Sequence, residues 1–152
     1  MSMYAAQHSD PNWQWQRRTP LTNPWFGVVT SEAQLRRVLA DRQGPGVPTI
    51  PDIDWKRHVL VVAALGEVPT GGWAARITLI TEKPDHVLVR VNLRSPALTD
   101  FVPQVISYPT DIVCIPKTKL PASNKEWVFE DQNGYRLAAF KWSASNMGEH
   151  YI

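Results

Sequence analysis

The chain has 152 residues, 43% of them apolar and 20% charged, which is one domain's worth of sequence with enough apolar side chains for a core of its own. Sixteen Lys and Arg against fourteen Asp and Glu leave a formal charge of +2. That balance, scattered along the chain, argues against nucleic acid or an anionic membrane as the partner, and no apolar run reaches the roughly 18 residues of a spanning helix.

Residues 1–23 are rich in Gln, Asn, Ser, Asp and Pro without periodicity, and the pattern predicts a flexible arm. Within it Trp13 and Trp15 alternate with polar groups ahead of Arg17 and Arg18, which suits a short edge strand added to this domain or to a partner. The amino terminus has neither a basic nor an apolar stretch of the kind an export signal needs, so cytoplasm is the expected compartment. Trp25 to Val29 is apolar and partly β-branched and predicts a first strand. Ser31 and Gln34 then make a capping box, with Leu35, Val38 and Leu39 on one helical face, so a helix is expected over about Ser31 to Arg42.

A proline-rich surface connection over residues 43–54 leads to Trp55. His58 to Leu65 is nearly continuous in apolar residues, as expected of a strand covered by a helix on one side and a second sheet on the other. From Trp73 the period is two, with Trp73, Ala75, Ile77 and Leu79 expected on one face. Lys83-Pro84-Asp85 turns the chain into a returning strand with Val87, Val89, Val91 and Leu93 on one side. A connection then runs to Pro109, and Asp111 to Ile115 forms a further buried strand closed by Pro116. Trp127 to Glu130 and Tyr135 to Phe140 flank Asn133-Gly134, expected to supply the positive φ angles of a tight hairpin turn. Residues 143–152 are expected to be a flexible tail.

Most candidate chemistry fails on spacing. Gly66 to Trp73 nearly imitates a phosphate loop, but Gly72 and Trp73 stand where Lys and Ser or Thr are required, and a strand follows instead of a helix. Cys114, the single cysteine, sits in Ile-Val-Cys-Ile and is expected to be an inert core residue with a protonated thiol. His8, His58, His86 and His150 show no metal-ligand spacing, and Asp52 and Asp54 read as turn and cap residues. Seven tryptophans raise the alternative of an aromatic carbohydrate-binding platform, although most of them border strands. No catalytic activity and no cofactor are expected.

The segment Gly66-Glu67-Val68-Pro69-Thr70-Gly71-Gly72-Trp73 remains. Its adjacent glycines leave main-chain groups unshielded beside a flat indole, a shape suited to a partner protein's backbone. The candidate partner-binding residues are therefore Glu67, Pro69, Thr70, Gly71, Gly72 and Trp73.

Together with a helix opening Thr30-Ser31-Glu32, the strand Val59 to Leu65, and the ending Tyr108-Pro109-Thr110-Asp111-Ile112-Val113-Cys114-Ile115-Pro116-Lys117, this loop makes residues from about 28 to 117 resemble the C-terminal domain of the protease-complex subunit family PrcB. The resemblance implies a non-enzymatic subunit that associates with a protease and stabilises it, in a family whose members are commonly exported. The hairpin over 126–142 lies outside the resemblance. The same loop is more distantly similar to the Asn-Pro-Thr-Thr-Gly loop of chagasin-like cysteine-protease inhibitors, with Val68 in place of the Asn and Gly71 in place of the second Thr. The expected fold is a single α+β domain over residues 24–142, a mainly antiparallel β-sheet arranged as a sandwich or open barrel with one α-helix packed on it.

Overall fold

The computed structural model describes residues 2–5, 23–40, 44, 47, 49, 52–97, 99–119, 125–143 and 148–150. Trp13 and Trp15 lie outside these residues. The elements are β1 (Ser2–Ala5), β2 (Trp25–Val29), α1 (Glu32–Leu39), β3 (His58–Ala64), β4 (Ala74–Glu82), β5 (His86–Arg94), β6 (Thr110–Pro116), β7 (Glu126–Asp131), β8 (Arg136–Lys141) and β9 (Gly148–His150), with a 3-10 turn over Lys117–Lys119. They form a five-stranded sheet in the order β1-β4-β5-β7-β8 and a four-stranded sheet in the order β6-β3-β2-β9. The architecture is an α+β sandwich of two mainly antiparallel sheets, and neither sheet closes into a barrel among the described residues.

The apolar run of β3 feeds two cores at once. Val59, Val61, Ala63 and the following Leu65 meet Phe26, Ile77, Ile80, Val89, Phe129 and Phe140 between the sheets. Leu60, Val62 and Ala64 meet Trp25, Val29, Leu35 and Val38 beneath α1. Residues 59 to 65 are all at most 1% exposed, and at about 1.5–3 kcal/mol for each large buried side chain this strand is the main apolar investment of the fold. The helix is shorter than its periodicity implies. Ser31 caps it by accepting from the Gln34 N–H at 3.2 Å, while Gln34 reaches back to the Thr30 N–H at 2.8 Å, one residue beyond the position of a standard capping box. It ends at Leu39, and residues 41–43 lie outside the described residues.

Four details differ from the sequence pattern. A register shift between Ile77 and Leu79 inserts an extra residue into β4, so the core side chains are Ile77 and Ile80 and Leu79 is only half-buried. Cys114 is exposed, not buried, because alternation on β6 sends Val113 and Ile115 inward. Desolvation still pushes its thiol above the ordinary range, which keeps it protonated near neutral pH. At the β7–β8 turn only Gly134 has a positive φ, of 83°. There a Gly134 N–H bond to the Asp131 carbonyl closes a longer loop, and the buried Asp131 carboxylate accepts from the N–H groups of Asn133 and Tyr135. Finally, the two chain ends that read as arm and tail supply strands: β1 pairs with β4, and β9 pairs with β2.

The chain leaves β5, passes through β6 in the other sheet and returns as β7, and this crossover allows a parallel pairing of β5 with β7. It is reinforced by Arg90 to Glu130 at 2.6 Å. Past its end, the Gln132 side chain accepts from the Leu93 N–H and donates to the Leu93 carbonyl, extending the ladder by one step.

The two sheets are tied at one corner by Asp111 of β6, whose Oδ2 accepts the Ile77 N–H of β4 at 2.6 Å and whose Oδ1 accepts the Ile112 N–H. Desolvation raises the Asp111 pKa above the ordinary 3.8, against the opposing pull of those two N–H groups and of Arg76. The folded protein therefore holds this proton more tightly than the unfolded chain does. Stability from this group falls as pH rises from about 3.8 through the folded value, and is constant above it. In urea titrations across this range, the unfolding free energy of wild type minus that of Asp111→Asn should decline with rising pH and then level off; a difference that climbs instead contradicts this assignment.

Candidate partner-binding loops

Two crossings from one sheet to the other lie at the same end of the sandwich. Residues 65–73 carry the chain from β3 to β4, and residues 95–109 carry it from β5 to β6. The second is long for a connection inside a compact domain, a feature that usually accompanies function. The ends are set by strand register: Ala64 faces Thr110 across β3–β6, and Ala74 faces Arg94 across β4–β5.

The loops are stitched together along their length. Leu65 N–H donates to the Pro109 carbonyl at 2.9 Å, and Val68 and Ser107 exchange N–H bonds at 2.9 and 3.0 Å in an isolated antiparallel bridge. Gly71 N–H donates to the Pro103 carbonyl at 2.9 Å, and the Ser107 hydroxyl donates to the Thr70 carbonyl at 2.8 Å. Tyr108 OH donates to Glu67 Oε1 at 3.0 Å. Val68 is 1% exposed, so the loop has its own inward anchor.

Each sequence-predicted residue has a definite place in this arrangement. Trp73 is half-buried, and its indole N–H donates to Thr70 Oγ1 at 3.2 Å while that hydroxyl donates to the Gly71 carbonyl. The indole thus braces the loop from within. The unshielded backbone expected at the glycine pair is not found at Gly71, whose N–H and C=O both have partners in the chain. The glycines serve close packing: a Cβ on Gly71 would stand 2.9 Å from Pro103 Cδ, and one on Gly72 would stand 2.6 Å from Val102 Cγ1 and 3.0 Å from Pro96 Cβ. Gly72 also holds φ +86°. Glu67, Pro69 and Gly72 are exposed, and Thr70 is half-buried.

What sequence reasoning missed is the face presented by the second loop. Phe101 is 105% exposed, Val105 52% and Ile106 50%, and Pro103 and Gln104 between them are exposed too. An apolar side chain held wholly in water on a braced loop is the feature of this end that points to a partner. The available signal was Phe-Val-Pro-Gln-Val-Ile, an apolar hexapeptide in a connection too proline-flanked to be a ladder strand.

Metal chemistry has no assembled donor set here: no three His, Cys, Asp or Glu side chains come together among the described residues. Asp54 is a turn cap, accepting from the Lys56 N–H through its carboxylate and from the Arg57 and His58 N–H groups through its carbonyl. Of the tryptophans, Trp127 is fully buried, Trp25 is 8% exposed, and Trp55 and Trp142 pack on the cores, so none of these four offers an open stacking face. No helix among the described residues is long and apolar enough to cross a membrane.

The architecture is thus an α+β sandwich with two cross-braced loops at one end, one of them carrying exposed apolar side chains. Residues 59–116 match the family model described as PrcB C-terminal, which supports the resemblance of this part of the chain to the PrcB C-terminal domain. The match begins at the start of β3, ends with β6 and contains both loops. It leaves β2, α1 and the β7–β8 hairpin outside, and is shorter than the 28–117 expected. No curated protein and no solved structure matches the chain.

Gly72 and Gly134 share a positive φ, of 86° and 83°, but a Cβ at Gly134 meets nothing within 4 Å. Gly72→Ala should therefore lower the unfolding free energy by about 1–3 kcal/mol more than Gly134→Ala does, read by chemical denaturation. Equal losses would mean that the packing on Val102 and Pro96 carries no weight.

Proposed function

We propose that the chain is a non-catalytic, protein-binding subunit that docks on a protease through the braced loop pair, in line with its PrcB C-terminal segment. The single observation that carries this reading is the exposure of Phe101, Val105 and Ile106 on a loop fixed at Pro103, Ser107 and Pro109 to its neighbour. A rigid loop spends little conformational entropy when it binds, and a projecting aromatic ring is the side chain best suited to fill a partner's pocket. In this reading Phe101 is the anchor. Glu67, Pro69 and Thr70 flank it with polar and main-chain contacts, while Gly71, Gly72 and Trp73 keep the loops in register.

The test is co-isolation of the tagged chain from its own cells, with proteolytic activity assayed in the eluate on a casein substrate. Phe101→Asp should reduce the accompanying activity at least tenfold, the loss expected for a hot-spot residue, and should leave the unfolding midpoint unchanged, since the ring touches no core. Retention of full activity with Phe101→Asp, or no proteolytic activity with the wild-type chain, would sink the proposal. A stabilising subunit also lengthens the half-life of the protease on incubation; a chagasin-like inhibitor would instead suppress its turnover when added in excess.

A further inference from the structure

The peptide bond between Phe101 and Val102 is held on both sides and bare in the middle. On its amino side Ala97 and Asp100 are joined twice, by the Asp100 N–H to the Ala97 carbonyl at 3.0 Å and by the Ala97 N–H to Asp100 Oδ2 at 2.9 Å. On its carboxy side the Val102 side chain lies against Gly72, so close that a Cβ there would stand 2.6 Å from Val102 Cγ1. The Gln104 side chain donates to the Val102 carbonyl at 3.4 Å, and Pro103, packed on Gly71, accepts the Gly71 N–H at 2.9 Å. Between these points the Phe101 N–H and C=O make no hydrogen bond among the described residues, and the ring is 105% exposed. An aromatic residue with open main-chain groups, set between two fixed points, is the form in which a protease takes its substrate. The cleft pairs with the main chain, and a specificity slot takes the side chain that precedes the bond to be cut.

We propose that Phe101 enters the specificity slot of a protease whose slot is deep and apolar, with the bond to Val102 lying across the catalytic groove as one that is cut slowly. This rests on the docking reading above, and adds where on the protease the loop sits and which residue type that protease cleaves after. Hydrolysis adds one water across the bond, leaving a carboxylate on Phe101 and an amino group on Val102. That amine stays in place, because Val102 and Pro103 remain packed on the glycine pair and Pro103 remains bonded to Gly71. The cut ends are thereby kept together, and the loop acts as a competitor that is not consumed. Its bracing also leaves little conformational entropy to lose on entering the groove. A filled groove is closed to the chains of neighbouring protease molecules, which gives a docked subunit a physical way to lengthen its partner's half-life, while casein in excess displaces the loop and restores turnover.

The probes are purified chymotrypsin, whose slot is apolar, and trypsin, whose slot carries an aspartate, each assayed on a chromogenic peptide in the presence of the full-length chain. The wild-type chain should inhibit chymotrypsin competitively and leave trypsin unaffected. Phe101→Lys should reverse that preference, and Phe101→Ala should weaken inhibition of chymotrypsin by about tenfold or more. By mass spectrometry, chymotrypsin should cut the bond after Phe101 more slowly in the folded chain than in a free peptide of residues 97–106. Absence of inhibition by the wild-type chain, cleavage after Phe101 as fast as in the free peptide, or a preference that Phe101→Lys does not move would overturn the proposal. Any of these results, found together with co-isolation that still depends on Phe101, would place the contact outside the groove and leave the docking reading standing without this one.

Discussion

Burial of β3 on both faces is the constraint from which the rest of the molecule follows. A strand whose successive side chains enter different cores cannot slip by one residue without exchanging the two sets, and any change of its position is felt by the helix and the opposite sheet together. β3 therefore fixes β2 and β6 beside it, and its carboxy-terminal end, at Ala64 and Leu65, fixes where the first crossing loop begins. The last in-register pair, Ala64 with Thr110, also places the end of the second loop directly beside the start of the first.

From that fixed end the loops build outward in a series of small, specific contacts. Val68 turns inward, the Val68–Ser107 bridge adds a rung to the ladder beyond β3 and β6, and the glycine pair lets Val102 and Pro103 close against the chain. Each hydrogen bond contributes only about 0.5–1.5 kcal/mol. Their joint effect is geometric, since they hold a connection that would otherwise be free to move. Phe101 projects into water two residues before the first of these pinned points, Pro103.

Much of the fold was legible in the sequence. The double-sided run of β3, the Ser31 cap, the Val87–Leu93 alternation and the hairpin at Gly134 are local patterns, and local patterns are what composition and period reveal. The misses have physical reasons. The β4 bulge moves Ile80 into the core in place of Leu79 through one inserted residue, which the sequence does not mark. Cys114 looks buried in Ile-Val-Cys-Ile because an edge strand of a covered sheet and a central one share the same apolar string. The β5–β7 parallel pair and the β2–β9 pairing depend on contacts distant in sequence.

The candidate site was half visible: the Pro-Thr-Gly-Gly-Trp segment stood out by composition, but its glycines proved to be packing residues turned towards a second loop. The apolar row at Phe101, Val105 and Ile106 was passed over, because an apolar residue in a connection gives no hint of which way it faces until its neighbours are fixed.

The central claim, that the two loops form one rigid unit continuous with β3, is tested most directly by native-state amide hydrogen exchange at Val68, Gly71 and Ser107. If the account is right, these three amides are protected together, with opening free energies approaching those of β3, while Phe101 and Ile106 exchange at the rate of open chain. Free exchange at Val68 and Gly71 alongside a protected β3 would contradict it, and would mean that the loops are independent, mobile connections.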